Sequence, residues 1–243
     1  METRAEVDRL RQVYRGYAQA GFGDSKWSRS NAGNRAIQSE RVARTKCLLQ
    51  DGGSWPLGDQ QILEVGCGHG EQLAVFAAWG ACPARLFGVD LMPERIATAE
   101  QAYPDIQFKV GNAEQLPFRD GFFDLVLVST VLSSILDPAM ALNVCREVDR
   151  VLSPGGAVIW YDFRLSNPLN HHVRPISRRR IAALFPGYSL RLQTVSLLPP
   201  LARRLGRLTD RLYAPLQTLP FLRTHLLGLL RKPLAGRSKD RCA

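Results

Sequence analysis

The chain is expected to fold as an α/β domain around a mostly parallel sheet with helices on both faces, and three observations predict it. Short apolar runs recur at 61–66, 85–89, 106–110, 123–129 and 156–163, the pattern of strands buried on both faces. Helical periodicity near 70–79, 93–102 and 138–152 separates them, as crossovers between parallel strands require. The first run, Ile62-Leu63-Glu64-Val65, stops in Gly66, Gly68 and Gly70, so a buried strand feeds a turn where the backbone must approach a ligand closely. Leu73, Ala74, Phe76 and Ala77 then resume helical spacing, and the free N–H groups of that helix suit a nucleotide-like cofactor. Taken alone, the glycines do not choose among such cofactors.

Before this turn, Val7, Leu10, Val13, Tyr14 and Tyr17 predict an amphipathic helix over about 2–20. Residues 21–33 read as a loop, and a second helix runs from about Asn34 to Leu49, stopped by Asp51-Gly52-Gly53. Pro93 suits a first helical turn, and Ser153-Pro154-Gly155-Gly156 reads as a helix-to-strand turn. Beyond Phe163 come a polar loop over 164–176, a short helix capped by Ser177 and ending near Phe185, an alternating strand over 188–198, and a last strand over 224–231. Between those two strands, 199–223 is rich in Leu, Arg and Pro and too long for a hairpin turn. The expected organisation is therefore a helical cap over 1–55, a core over 56–198 and 224–232, a basic, apolar, lid-like insertion over 199–223 that reads as a lid or as a membrane or partner contact, and a flexible tail over 233–243.

With 45% hydrophobic and 22% charged residues, the composition excludes disordered and fibrous classes. No run reaches the roughly 18 apolar residues of a membrane span, and Met1 to Leu10 lacks the apolar core of a signal peptide. Cys47, Cys67, Cys82, Cys145 and Cys242 are odd in number and form no CxxC pair, so reduced thiols in a cytoplasmic protein are expected, and no zinc site. The net charge of +10 is uneven: residues 1–163 hold 16 Lys/Arg against 20 Asp/Glu, and 164–243 hold 16 against 2. A basic last third points to an anionic partner of one of three kinds, a phosphorylated or carboxylated substrate, a nucleic acid or a membrane surface; a solvated basic face is the plain alternative.

Glu64, two residues before the first glycine, and Asp90, closing Phe87-Gly88-Val89-Asp90, both fall at the carboxyl ends of strands, where an open parallel sheet binds its ligand. An acid at the second position can accept from both ribose hydroxyls. Gly111-Asn112-Ala113-Glu114-Gln115-Leu116-Pro117-Phe118 follows the third strand, and Phe123 to Thr130 makes the fourth. Together with the glycine turn, Val89-Asp90 and Leu152 to Gly156, these motifs resemble the class I S-adenosylmethionine-dependent methyltransferases of the small-molecule group, over about residues 60–163.

The resemblance implies a Rossmann-like seven-stranded sheet, S-adenosyl-L-methionine as cofactor and S-adenosyl-L-homocysteine as product. It implies that Glu64 and the backbone at Gly66, Cys67, Gly68 and Gly70 hold the methionine part, with Asp90 on the ribose and Leu91 against the adenine. Asn112, Ala113 and Glu114 would frame the adenine, and Ser129 and Thr130 would close the pocket near the sulfonium. His69 stands where that family often has Thr or Ser, a backbone position. Trp27 with its loop, Ser133 to Pro138 including Ser134, Trp160 to Pro168, and Leu222 to His225 are similar to a bacterial biosynthetic subgroup, which implies natural-product or glycan tailoring.

Oxygen methylation needs a base near the methyl group, and His171, His172, Tyr161 and Asp162 are the candidates at or after the end of the fifth strand. The histidines also read as solvent-facing, and Tyr161 and Asp162 as shaping the pocket. Arg164, Arg174, Arg178, Arg179 and Arg180 suit bidentate recognition of carboxylate or phosphate, so the expected acceptor is a small anion; a charged helix face is the alternative for 178–180. Rival readings are a lipid-linked acceptor reached by a peripheral contact of 199–223 with the inner membrane face, where Leu201, Leu205, Leu208 and Leu212 share helical spacing, an RNA acceptor, and a non-catalytic interaction protein. RNA is disfavoured by the lack of interleaved aromatics. A nicotinamide-dependent reductase is disfavoured by the 112–118 motif and by the lack of a Tyr-x-x-x-Lys pair. Monomer and homodimer are both open.

Overall fold

The computed structural model describes residues 2–21, 28–166 and 170–234. Helices α1 (Glu2–Gln19) and α2 (Ala32–Asp51) precede an alternating series: β1 (Ile62–Val65), α3 (Glu71–Ala78), β2 (Leu86–Asp90), α4 (Pro93–Ala102), β3 (Gln107–Val110), β4 (Phe123–Ser129), α5 (Pro138–Val151) and β5 (Leu152–Phe163). Then come α6 (Arg178–Leu184), β6 (Ser189–Leu197), α7 (Pro199–Arg204), α8 (Thr209–Gln217) and β7 (Arg223–Arg231). The seven strands form one sheet in the order β3-β2-β1-β4-β5-β7-β6. The first five are parallel, and β7 runs antiparallel between β5 and β6.

Alternation along the strands builds two cores. Leu63 and Val65 of β1 join Val126 and Val128 of β4 in a cluster covered by Val144, Cys145 and Val148 of α5. Ile62, with Leu125 and Leu127, faces the other way, against Leu49 of α2, Leu73 and Phe76 of α3, and Ile96 of α4. Glu64 lies two residues from Ile62, so period-2 geometry puts it on the face that α2 covers. Neighbours β1 and β4 connect to opposite sides of the sheet, and a crevice opens at their carboxyl ends.

Two sequence expectations are corrected. Ser153 to Gly156 is a bulge within β5 rather than a turn before it: Phe123 pairs with Leu152, the register shifts, and Leu125 pairs with Ala157. Gly155, at φ 78°, carries the excursion. Within 199–223, Leu201, Leu205, Leu208 and Leu212 do not form one stripe, because the helix breaks at Gly206, φ 51°. Leu201 and Leu205 pack toward Ile37 and Leu197, whereas Leu208 and Leu212 are exposed.

Arg150 of α5 fixes the loop after β3. Its guanidinium donates to the carbonyls of Leu116 (3.0 Å) and Phe118 (2.8 Å), to Asp120 and to both oxygens of Glu147. Glu147 in turn accepts from the Leu116 amide at 2.8 Å, and its carboxyl is held below the usual range, first by Arg150. Arg150→Ala is expected to cost about 2 kcal/mol, since it removes the donor to the Phe118 carbonyl and the charged partner of Glu147, leaving the Leu116 carbonyl and Glu147 with one backbone amide each; urea unfolding measures it.

Candidate active site

A cleft at the carboxyl ends of β1, β2 and β4 is walled by Gly66, Asp90, Leu91, Asn112, Ala113, Ser129, Thr130 and Ser134, all singled out in the sequence. The glycine turn requires its glycines, which sit at φ 71° (Gly66), 55° (Gly68) and 83° (Gly70). A Cβ at Gly66 would strike Val131 at 2.7 Å and one at Gly70 would strike Phe108 at 2.7 Å, whereas one at Gly68 would stand in open space. Asp90 shapes the turn as well as the cleft: Oδ2 accepts from the Gly68 amide and Oδ1 from the Met92 amide, both at 2.9 Å. Each oxygen keeps a lone pair for a ligand hydroxyl. Thr130 lines the cleft at φ 54°, a strained conformation for a β-branched residue, held by its amide bond to the Tyr161 carbonyl at 2.7 Å.

Glu64 is buried, and its Oε2 has no hydrogen-bond partner. Burial pushes its pKa up to about 8, against the attraction of Arg41. Arg41 of α2 reaches Ser129 Oγ at 3.4 Å and lies 5.1 Å over the Tyr161 ring. Neither side chain is part of the cleft wall, but Glu64 lies two residues before Gly66 and Arg41 reaches Ser129, both of which are; the two make no ion pair with each other, and a carboxyl and a guanidinium behind the wall complement an ammonium and a carboxylate on one ligand. The sequence reading missed Arg41, Tyr14 and Arg95. Tyr14 of α1 lines the cleft, donates to Ser134 Oγ at 3.0 Å and lies beneath the Arg95 guanidinium at 4.5 Å. Helix α1 is fastened there by Glu6, which accepts from the Leu136 amide at 2.5 Å, and by Arg9, which donates to the Ser134 carbonyl at 2.6 Å.

Other sequence-selected residues stand apart from the cleft wall. Cys67 is buried beside Gly68, and burial raises its thiol pKa, as packing rather than nucleophilic use predicts. Glu114 accepts from Asn112 at 3.2 Å and from Asn143 at 3.0 Å, bracing the loop that presents Asn112 and Ala113. Tyr161 is buried, bonded to Ser196 Oγ at 2.9 Å and stacked on His225. Asp162 is buried and accepts from the Ser133 and Phe163 amides at 3.0 and 2.8 Å, pinning the segment after β4; burial raises it to about 6. His171 and His172 are exposed, the latter edge-on to Tyr17. Arg164 donates to the carbonyls of Arg223 and Pro220, Arg174 to that of Leu136, and Arg178 to that of Leu192. Trp27, Asn167 and Pro168 lie outside the described residues.

Strand order, glycine turn and acidic β2 terminus together define a nucleotide-cofactor α/β protein of the class I methyltransferase type. Residues 63–160 match a family model described as a methyltransferase domain, in agreement with the resemblance to class I S-adenosylmethionine-dependent methyltransferases seen in the sequence. The phthiotriol/phenolphthiotriol dimycocerosates methyltransferase of Mycobacterium leprae (strain TN) is 34% identical over 137 residues, covering 52% of this chain and 49% of that protein. The demethylmenaquinone methyltransferase of Chlorobaculum parvum is 37% identical over 98 residues, covering 40% of this chain and 39% of that protein. The chain spans about half the length, or less, of these curated relatives. Among solved structures, an S-adenosylmethionine-dependent methyltransferase from Methanosarcina mazei superposes with TM-score 0.55 at 20% identity, covering 76% of this chain and 97% of that one. The [4+2]-cyclase SpnF superposes with TM-score 0.59 at 18% identity, covering 79% and 82%. At these identities the likeness is one of fold, and the cyclase illustrates that the fold does not dictate the reaction.

Proposed function

We propose that the chain transfers the methyl group of S-adenosylmethionine to an oxygen of a small anionic acceptor in a cytoplasmic biosynthetic pathway. The observation that carries the cofactor part is the buried Glu64, its Oε2 unpartnered and attracted by Arg41, two residues before Gly66 in the wall of a cleft that Asp90 and Asn112 also line. In this reading Glu64 meets the ammonium, Arg41 the carboxylate and Asp90 the ribose hydroxyls. Leu91 and Ala113 flank the adenine. The bound cofactor supplies an activated methyl on a sulfonium. What remains for the protein is alignment and exclusion of water, which α1 serves by lying across the cleft through Leu10 and Tyr14.

The described residues bring none of the four proposed bases to the cleft wall. An acceptor oxygen already ionised at neutral pH, such as a carboxylate or an acidic phenol or enol, needs none, and this supports the anionic acceptor. His171→Ala and His172→Ala are then expected to change kcat by less than about threefold and to add no inflection near the ordinary histidine pKa of about 6.5. A large loss of kcat with unchanged cofactor affinity would instead make one of them the base. Calorimetry with S-adenosylhomocysteine and NAD tests the cofactor assignment: binding of NAD alone would overturn it. A membrane-borne acceptor is the second reading, favoured by relatives named for phthiotriol dimycocerosates and demethylmenaquinone.

A further inference from the structure

Of the nine large apolar side chains exposed among the described residues, five lie between Leu198 and Phe221. This segment is not loosely attached. Ala202 and Tyr213 are buried against Ile37 and Leu197; Tyr213 donates to Glu40 at 2.6 Å, and Gln217 donates to the other oxygen of that carboxylate. Gly33 lets α7 press onto α2, since a Cβ there would meet the Ala202 carbonyl oxygen at 2.1 Å. With the inner face so fixed, Leu208, Leu212, Leu219 and Phe221 are left outside, Phe221 at 70% exposure. Interleaved with them are the exposed Arg204, Arg207 and Arg211, which make no side-chain hydrogen bond or ion pair with described residues. Only Asp210 opposes them within the segment.

We infer that the outer face of residues 199–222 docks onto an anionic lipid bilayer, apolar side chains in the interface and arginines against the headgroups. Apolar residues interleaved with unpaired arginines are the chemistry of an interfacial element. A second copy of the chain fits less well, because a two-fold contact would set the same arginines against each other. The inference does not depend on which acceptor is used. Glu40, which anchors the segment, adjoins Arg41, whose guanidinium reaches Ser129 of the cleft wall, so docking would bring the cleft close to molecules held in the bilayer.

The test is flotation of the full chain with vesicles of phosphatidylcholine, with and without phosphatidylglycerol. Binding is expected only with phosphatidylglycerol and should weaken as salt is raised. Replacing Arg204, Arg207 and Arg211 together by Gln should lower partitioning about a hundredfold, and Leu212→Ser with Phe221→Ser at least about tenfold. Unchanged S-adenosylhomocysteine affinity would show that these variants are folded. Failure of the wild type to bind, equal binding to both vesicles, or binding unaffected by both sets of substitutions would overturn the inference. So would a concentration-dependent dimer that the same substitutions dissolve, which would assign the face to a second copy.

Discussion

Asp90→Ala is expected to lower affinity for S-adenosylhomocysteine about 100-fold, the loss of two charge-assisted hydrogen bonds to ribose hydroxyls. A second contribution comes from the protein itself. The carboxylate accepts from the amides of Gly68 and Met92, so its removal leaves two N–H groups without an acceptor and frees a turn whose glycines already hold positive φ. Asp90→Asn separates the contributions. An asparagine can keep one amide bond through its carbonyl oxygen, but it presents a neutral acceptor to the ribose, so the variant should recover most of the stability and little of the affinity. Calorimetry alongside urea unfolding reads both. Unchanged affinity in Asp90→Ala would place the ribose elsewhere.

What the sequence made legible follows chain proximity. Strand β4 falls on 123–129 in both readings, because Leu125, Val126, Leu127 and Val128 alternate between two cores and leave no room for a register error. Gly66, Asp90, Asn112 and Thr130 are legible because each lies at or just after a strand's carboxyl end, so sequence position fixes place in the crevice. Tyr14, Arg41 and Arg95 come from helices that cover the crevice from outside, and a tyrosine or arginine at helical spacing looks the same whether it meets solvent or a cofactor. For the same reason, grouping Arg164, Arg174 and Arg178 by their nearness in sequence overestimated their convergence: their guanidiniums go to backbone carbonyls of separate elements. Tyr161 and Asp162 lie at the right strand end, but there an amide ladder and a buried hydroxyl had first claim on them.

Glu64→Gln is expected to weaken S-adenosylmethionine binding by roughly 10- to 100-fold at pH 8, the value of one hydrogen bond to a charged group. The direction of the pH dependence follows from burial. With the folded pKa raised to about 8 from 4.5, the free protein holds a proton at Glu64 across that window while the unfolded chain has released it. This contribution to stability is present below about pH 4.5 and is lost as pH rises toward 8. An ammonium placed beside the carboxyl reverses the balance by favouring the ion, so cofactor binding at pH 7 should expel close to one proton and tighten as pH rises. Titration calorimetry in two buffers of different ionisation enthalpy measures the release. The Gln variant, permanently neutral, should show none and should lose the pH dependence of affinity between pH 6 and 8, and it should fold more stably than the wild type at pH 6 because it escapes the loss that proton release from the unfolded chain imposes. Arg41→Gln should act in the opposite sense on Glu64, because removing the attraction of Arg41 raises the carboxyl further, and should separately cost the contact with the ligand carboxylate. Equal proton release in wild type and Glu64→Gln would mean that another group carries the charge, and the buried carboxylate would then be a feature of the strand rather than of the site.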